Sequence, residues 1–325
     1  MNYLRRVLVI STLLAPLEAS AADSVSVKDF GAVGDGIRDD TEAIQNAIKD
    51  ANGSVFFPKG TYRISDTLVI EKPVAISSTI DGGTVILGSQ CGTWGEHPND
   101  HSPLIRIRPA AGPKAKSFAG VTVQNLTLDG GCTIRTYRWE FSAGIEVQAR
   151  GLFAPRNVHL LRLHIRDVSG DGITVRGTPE GKTSRALPSE IFIEENTIER
   201  WHANRQGIAV VAGRHVIIAN NQIVLGIPAS GVCPPPKSPD PTDANFGIDL
   251  ESNPGTYGEF VSQIQISGNL IHNCNGGINI ANQHYPNNAI SNISVHGNTI
   301  QAYGRLPLKP IRIGTVDEGV TRVVK

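Results

Sequence analysis

The sequence predicts an all-β chain wound as a single-stranded parallel β-helix behind an N-terminal capping α-helix, and three features predict it. A strand phrase recurs as Gly144-Ile145-Glu146-Val147, Gly172-Ile173-Thr174-Val175, Gly207-Ile208-Ala209-Val210, Gly247-Ile248-Asp249-Leu250 and Gly277-Ile278-Asn279-Ile280, with Pro310-Ile311-Arg312-Ile313 as a late variant. Apolar and variable residues alternate within it, the period-2 signal of a strand, and its return after irregular gaps marks a repeat. A second phrase alternates with the first at residues 191–198, 216–223, 264–271 and 293–300, carrying Asn196, Asn221, Asn269 and Asn298 at one fixed place. Asparagine tolerates left-handed backbone and bonds neighbouring backbone groups, so such a residue can stack on itself from coil to coil. The third feature is one amphipathic helical stretch near the start. A β-sandwich would show turn signals every 8 to 12 residues but no alternating pair of phrases.

In chain order, residues 1–21 come first, with Arg5 and Arg6, the apolar run Val7 to Leu17, then Ala19-Ser20-Ala21. A basic start, a short apolar core and a small-residue cleavage site predict a secretory signal peptide too short to span a bilayer as a helix. Export follows, with no membrane partner after cleavage. Residues 22–325 then form one β-helix domain, with a cap at 25–56 and coils from about 57 to 314. The formal net charge of the chain is zero, and its basic residues are scattered, which excludes the basic stripe that a nucleic-acid partner requires.

Asp39 and Asp40 are placed to cap a helix whose Ile44, Ala47, Ile48 and Ala51 share one face, with Gly53 as its stop. A stack of coils needs such a cover over its open end. Asp35, Asp39 and Asp40 read as turn and cap residues. The run Asp29-Phe-Gly-Ala-Val-Gly-Asp-Gly-Ile-Arg-Asp-Asp-Thr-Glu-Ala-Ile-Gln-Asn-Ala-Ile48, followed by Val55-Phe-Phe-Pro-Lys-Gly-Thr-Tyr-Arg-Ile64, resembles the opening of the pectate-lyase superfamily, in its rhamnogalacturonase- and epimerase-like branch. The resemblance covers roughly residues 25–80. It implies a right-handed parallel β-helix and a carbohydrate substrate; it does not imply one reaction, because the opening is the structural cap and the superfamily's chemistries differ.

Register decides which side chains can form a site. With the isoleucines and valines of the first phrase pointing inward, one outward column reads Glu146, Thr174, Ala209, Asp249, Asn279, and the next reads Gln148, Arg176, Val211, Glu251, Ala281. Rungs are about 4.8 Å apart and the two columns about 6.5 to 7 Å apart along the strand, spacings comparable to a sugar residue. Asp249 and Glu251 therefore stand as an acid–base pair on an exposed face, with room over Ala209 and Val211. Their bland alternative is two solvated outward residues. Arg205, at the corner entering the Ala209 rung, joins them as a catalytic candidate that neutralises an acidic sugar. Arg176, Glu146 and Asn279 are substrate-binding candidates, with a structural salt bridge as the alternative for Arg176 and Arg205. Trp139, Trp201, His202 and Tyr257 are candidates for sugar contact, against ordinary packing.

Polygalacturonases carry Asn-x-Asp, Asp-Asp, Gly-His-Gly and Arg-x-Lys in successive coils, and only Val295-His296-Gly297 is faintly similar to the third. Alginate epimerases of similar fold place Asp-Pro-His-Glu where this chain has Asp249-Leu250-Glu251-Ser252, so the aspartate has a counterpart and the histidine has none. The expectation is a polysaccharide-cleaving enzyme working by paired-carboxylate hydrolysis without a cofactor. The alternatives are a uronate lyase or C5-epimerase, or a noncatalytic polysaccharide-binding coil. A lyase would call for calcium, toward which Asp240 and Asp243 offer oxygens. Cys91 with Cys132, and Cys233 with Cys274, are the disulfides the register predicts, each tying a long irregular loop to a neighbouring coil.

Overall fold

The computed structural model describes residues 24–80, 83–88, 102–132, 143–178, 186–200, 205–225, 246–252, 260–273, 276–280, 290–302 and 311–313. These wind into a right-handed parallel β-helix. Three parallel sheets, here A, B and C, hold nine, nine and eight strands among the described residues, and the chain visits them in that order on every turn after the first. The expected signal peptide lies outside the described residues, as do Trp139, Trp201, His202, Tyr257, Asp240, Asp243, Cys91, Cys233 and Cys274. Among the described residues no helix is long and apolar enough to cross a membrane.

The helix α1 (Thr41–Asp50) buries Ile44, Ala47 and Ile48, the face the spacing predicts. It sits where the first turn would otherwise place a strand of sheet C. The edge of that sheet, Leu68–Ile70, would leave backbone groups unpaired. Gln45 satisfies both polar atoms of Val69, donating Nε2 to its carbonyl at 2.9 Å and accepting its N–H on Oε1 at 2.7 Å. The cap chemistry differs from the expectation. Asp39, not Asp40, accepts the Thr41 N–H, at 3.0 Å. Asp40, almost fully buried, instead gathers the Val33 and Gly34 amides at 2.7 and 2.9 Å and closes the preceding loop. The helix ends at Asp50, with Ala51 rather than Gly53 at its C-cap. Sheet A also begins inside the expected cap, since Ser24–Ser26 pairs with Ser54–Phe57.

The asparagine ladder forms as the register requires. Asn221 Oδ1 accepts from the backbone N–H and the Nδ2 of Asn196 at 3.0 and 2.9 Å, and Asn269 Oδ1 does the same for Asn221. Asn298 continues the series beneath Asn269. Each Nδ2 also donates to a carbonyl of the strand before the corner, as Asn221 does to Ile193 at 2.9 Å. The left-handed residue is not the asparagine but the one preceding it: Glu195, Asn220, Gly268 and Gly297 all have φ between 56° and 66°. The side chain stacks while its neighbour makes the bend.

The glycine that opens the sheet C phrase has a steric cause. A Cβ on Gly172 or Gly207 would lie 2.5 or 2.6 Å from the carbonyl oxygen of the equivalent glycine one rung on, where only a missing side chain fits.

Candidate active site

Sheet C carries the first predicted column in the predicted register, and the first pair of the second. Glu146 pairs with Thr174, Thr174 with Ala209, Ala209 with Asp249 and Asp249 with Asn279, while Gln148 faces Arg176. Arg106 adds one more member before Glu146. What the alternation did not foretell is burial. The outward column is not solvated: Glu146 is 1% exposed, Thr174 5%, Ala209 5%, Asp249 2% and Asn279 0%. The expectation that Asp249 faces solvent is therefore corrected. Strand geometry fixes which way a side chain points, not whether other chain lies over it. Glu251 is half-buried.

Two clusters divide the column. In the first, Glu146 accepts from Arg106 Nε at 2.6 Å and lies 3.6 Å from Arg176 Nη1, with Gln148 Nε2 at 3.4 Å. The predicted binders Glu146 and Arg176 thus meet each other, as the salt-bridge alternative for Arg176 anticipated. A charge pair this buried demands mutual compensation.

The second cluster surrounds Asp249. Asn279 Nδ2 donates to its Oδ1 at 2.8 Å. Burial pushes the Asp249 carboxyl up to about 7, Glu251 and Asp171 adding like charge, while the Asn279 bond and Arg205 pull the other way. Arg205 stands at the corner entering the Ala209 rung, as its place in the sequence implies, and its Nε lies 3.2 Å from Asp171 Oδ1. Asp249, Glu251, Arg205 and Asn279 are therefore brought together.

Asp171 is the member that sequence reasoning missed. It is 2% exposed and accepts the Gln206 N–H at 2.9 Å and the Thr174 hydroxyl at 3.2 Å. Gln206 repeats the device on the next rung, its Oε1 accepting the Phe246 N–H at 2.7 Å. The signal was available, because Asp171, Gln206 and Phe246 each stand immediately before a phrase glycine and so form a corner column of their own. Among the described residues no group of three or more His, Cys, Asp or Glu side chains is placed to hold a metal ion.

The coil stack thus holds a buried acid beside further carboxylates and an arginine. The chain belongs to the rhamnogalacturonase A/epimerase, pectate lyase-like family, whose model matches residues 24–226. It is similar to mannuronan C5-epimerase AlgE1 of Azotobacter vinelandii, 28% identical over 237 residues that make up 64% of this chain and 16% of the relative. Alginate lyase 7 of Azotobacter vinelandii is 31% identical over 218 residues, 59% of this chain and 24% of the relative. This chain therefore spans a quarter or less of the length of either. Among solved structures, the pre-mature bacteriophage phi29 gene product 12 shares the fold with a TM-score of 0.60 at 19% identity, over 86% of this chain and 33% of that one.

Proposed function

We propose that this chain is an exported enzyme that acts on an acidic polysaccharide and breaks its glycosidic bonds with Asp249 as proton donor. The observation that carries the reading is the Asp249 carboxyl, buried and pushed up to about 7. A carboxyl that keeps its proton near neutral pH can hand it to a leaving glycosidic oxygen, which is how paired carboxylates divide the work of acid and base. Glu251, two residues on along the same face, takes the proton of the water that attacks the anomeric carbon as the bond to the leaving oxygen breaks. Arg205 offers positive charge beside both buried aspartates and favours a carboxylate-bearing sugar.

A second reading is supported by the similarity to a C5-epimerase and an alginate lyase. There a proton beside the uronate carboxylate is removed, and Arg205 neutralises the charge that develops. Product analysis with the purified mature chain and a panel of anionic and neutral polysaccharides separates the readings. Hydrolysis leaves new reducing ends without ultraviolet absorbance, and elimination adds an absorbing unsaturated sugar. Epimerisation changes the uronate signals in the NMR spectrum without shortening the polymer. Every polymer recovered unchanged would leave only a noncatalytic binding coil.

A further inference from the structure

Outside the Asp249 cluster, a cleft of about 900 Å³ is lined by residues of α1 and of the first strands of sheet C, within the usual size range of ligand pockets. Three contacts show that α1 and the strand Leu68–Ile70 run side by side in one direction: Asp39 with Ser65, Gln45 with Val69, and Lys72 Nζ on the Lys49 and Ala51 carbonyls. The cleft is polarised as a result. Asp39, Glu42 and Asp66 line its beginning, and Lys49, Lys72 and Arg108 line its far end, where Glu71 is the one acid among the lining residues.

Arg108 is the anomaly there. Its Nε is fully buried without a hydrogen-bond partner, and among the described residues its guanidinium makes neither a side-chain hydrogen bond nor an ion pair, although Glu71 is its neighbour in register. Burial, followed by the like charges of Arg106 and Arg150, holds its pKa below the usual arginine value, against the weaker attraction of Glu71 and Glu146. Arg106 is already matched with Glu146, and Arg150 Nη1 is 3.4 Å from the Pro109 carbonyl. A buried charged donor without an acceptor is costly, and a carboxylate satisfies a guanidinium with two parallel bonds.

We infer that this cleft binds the carboxylate of an acidic saccharide at Arg108, with the sugar ring lying toward the Asn46 and Glu42 face of α1. The choice of a uronate rests on the polysaccharide reading above; the cleft is far larger than an inorganic anion needs. It opens on the same sheet face as Asp249, four rungs or about 19 Å before Glu251 along the stack, so it is a separate holding site for the polymer.

Isothermal titration tests it on the full chain carrying Asp249→Asn, which keeps binding apart from turnover. The probes are tetramers of galacturonate, mannuronate and guluronate, their carboxyl-reduced counterparts, and sodium sulfate. At least one uronate tetramer is expected to bind at two separable sites, each about tenfold tighter than for its reduced form, and Arg108→Gln should remove one of the two binding events while the one beside Arg205 remains. Asn46→Trp, at an exposed position of α1 that lines the cleft, leaves Arg108 in place and should weaken the same tetramer about tenfold. It decides the matter if Arg108→Gln does not fold. No uronate preference in the parent chain, affinity indifferent to both substitutions, or sulfate binding as tightly as the tetramer would overturn the inference. Uronate binding that ignores Arg108 sinks this site and leaves the Asp249 reading standing; polymer recovered unchanged from the wild type, together with Arg108-dependent binding, does the reverse.

Discussion

Asp249 stores a conflict that should be visible in solution. Its carboxyl is raised from 3.8 to about 7 in the folded chain, so between those values the native state holds a proton that the unfolded state has released. Stability then falls as pH rises from about 4 to about 7 and levels off above, by up to a few kcal/mol. Asp249→Asn keeps an acceptor for Asn279 and removes the titration, so its urea midpoint should exceed that of the wild type above pH 7 and converge with it below pH 4. The same substitution should reduce turnover by at least about a hundredfold. In the wild type kcat/KM should decline as pH rises through about 7, because the proton donor is lost; a rise through that value would make Asp249 a base and favour elimination. The residues of this site were legible as far as alternation reaches. Asp249, Glu251 and Asn279 follow from counting along the strand, whereas Asp171 sits at a corner, outside any period-2 pattern. The burial of Asp249 is not encoded by alternation, which fixes only the direction of a side chain.

At the scale of the element, stacking explains both recurring motifs. Asn221 connects three coils, through Asn196, Ile193 and Asn269. Asn221→Leu would strip the Asn196 amide and the Ile193 carbonyl of their partners inside the fold, at about 3 kcal/mol in all. Chemical denaturation checks this, and an unchanged midpoint would mean that the ladder is ornament to a stack held by its core. Gly207→Ala is predicted to cost about 1–3 kcal/mol by overpacking, since the new methyl would face a rigid backbone carbonyl. The ladder was readable because each asparagine returns in the same short phrase. The left-handed corner was not, because Glu195, Asn220, Gly268 and Gly297 share a backbone angle but no chemistry.

For the molecule as a whole, the three sheets make a nearly one-dimensional object in which each turn touches only its neighbours. That is why so much of the architecture can be read from sequence: every local phrase repeats the same packing problem. The long insertions between phrases differ in length and composition and carry no shared sequence pattern. The same property predicts how the chain fails. Ile44 is 0% exposed and belongs to the continuous core through which α1 closes the N-terminal end. Ile44→Ala leaves a cavity there, at a cost of about 2 to 5 kcal/mol for a site that cannot collapse. In a globule with one cooperative core that loss would lower protection everywhere. In a stack it should be felt first in the coils beside the cap. Native-state hydrogen exchange on Ile44→Ala should therefore show lost protection in Ser54–Phe57 and Gly60–Ile64, while Val261–Ser267 and Ile290–His296 exchange as in the wild type. Uniform loss along all of these strands would mean that the coils unfold as a single unit, and that α1 anchors the whole stack and not only its first turns.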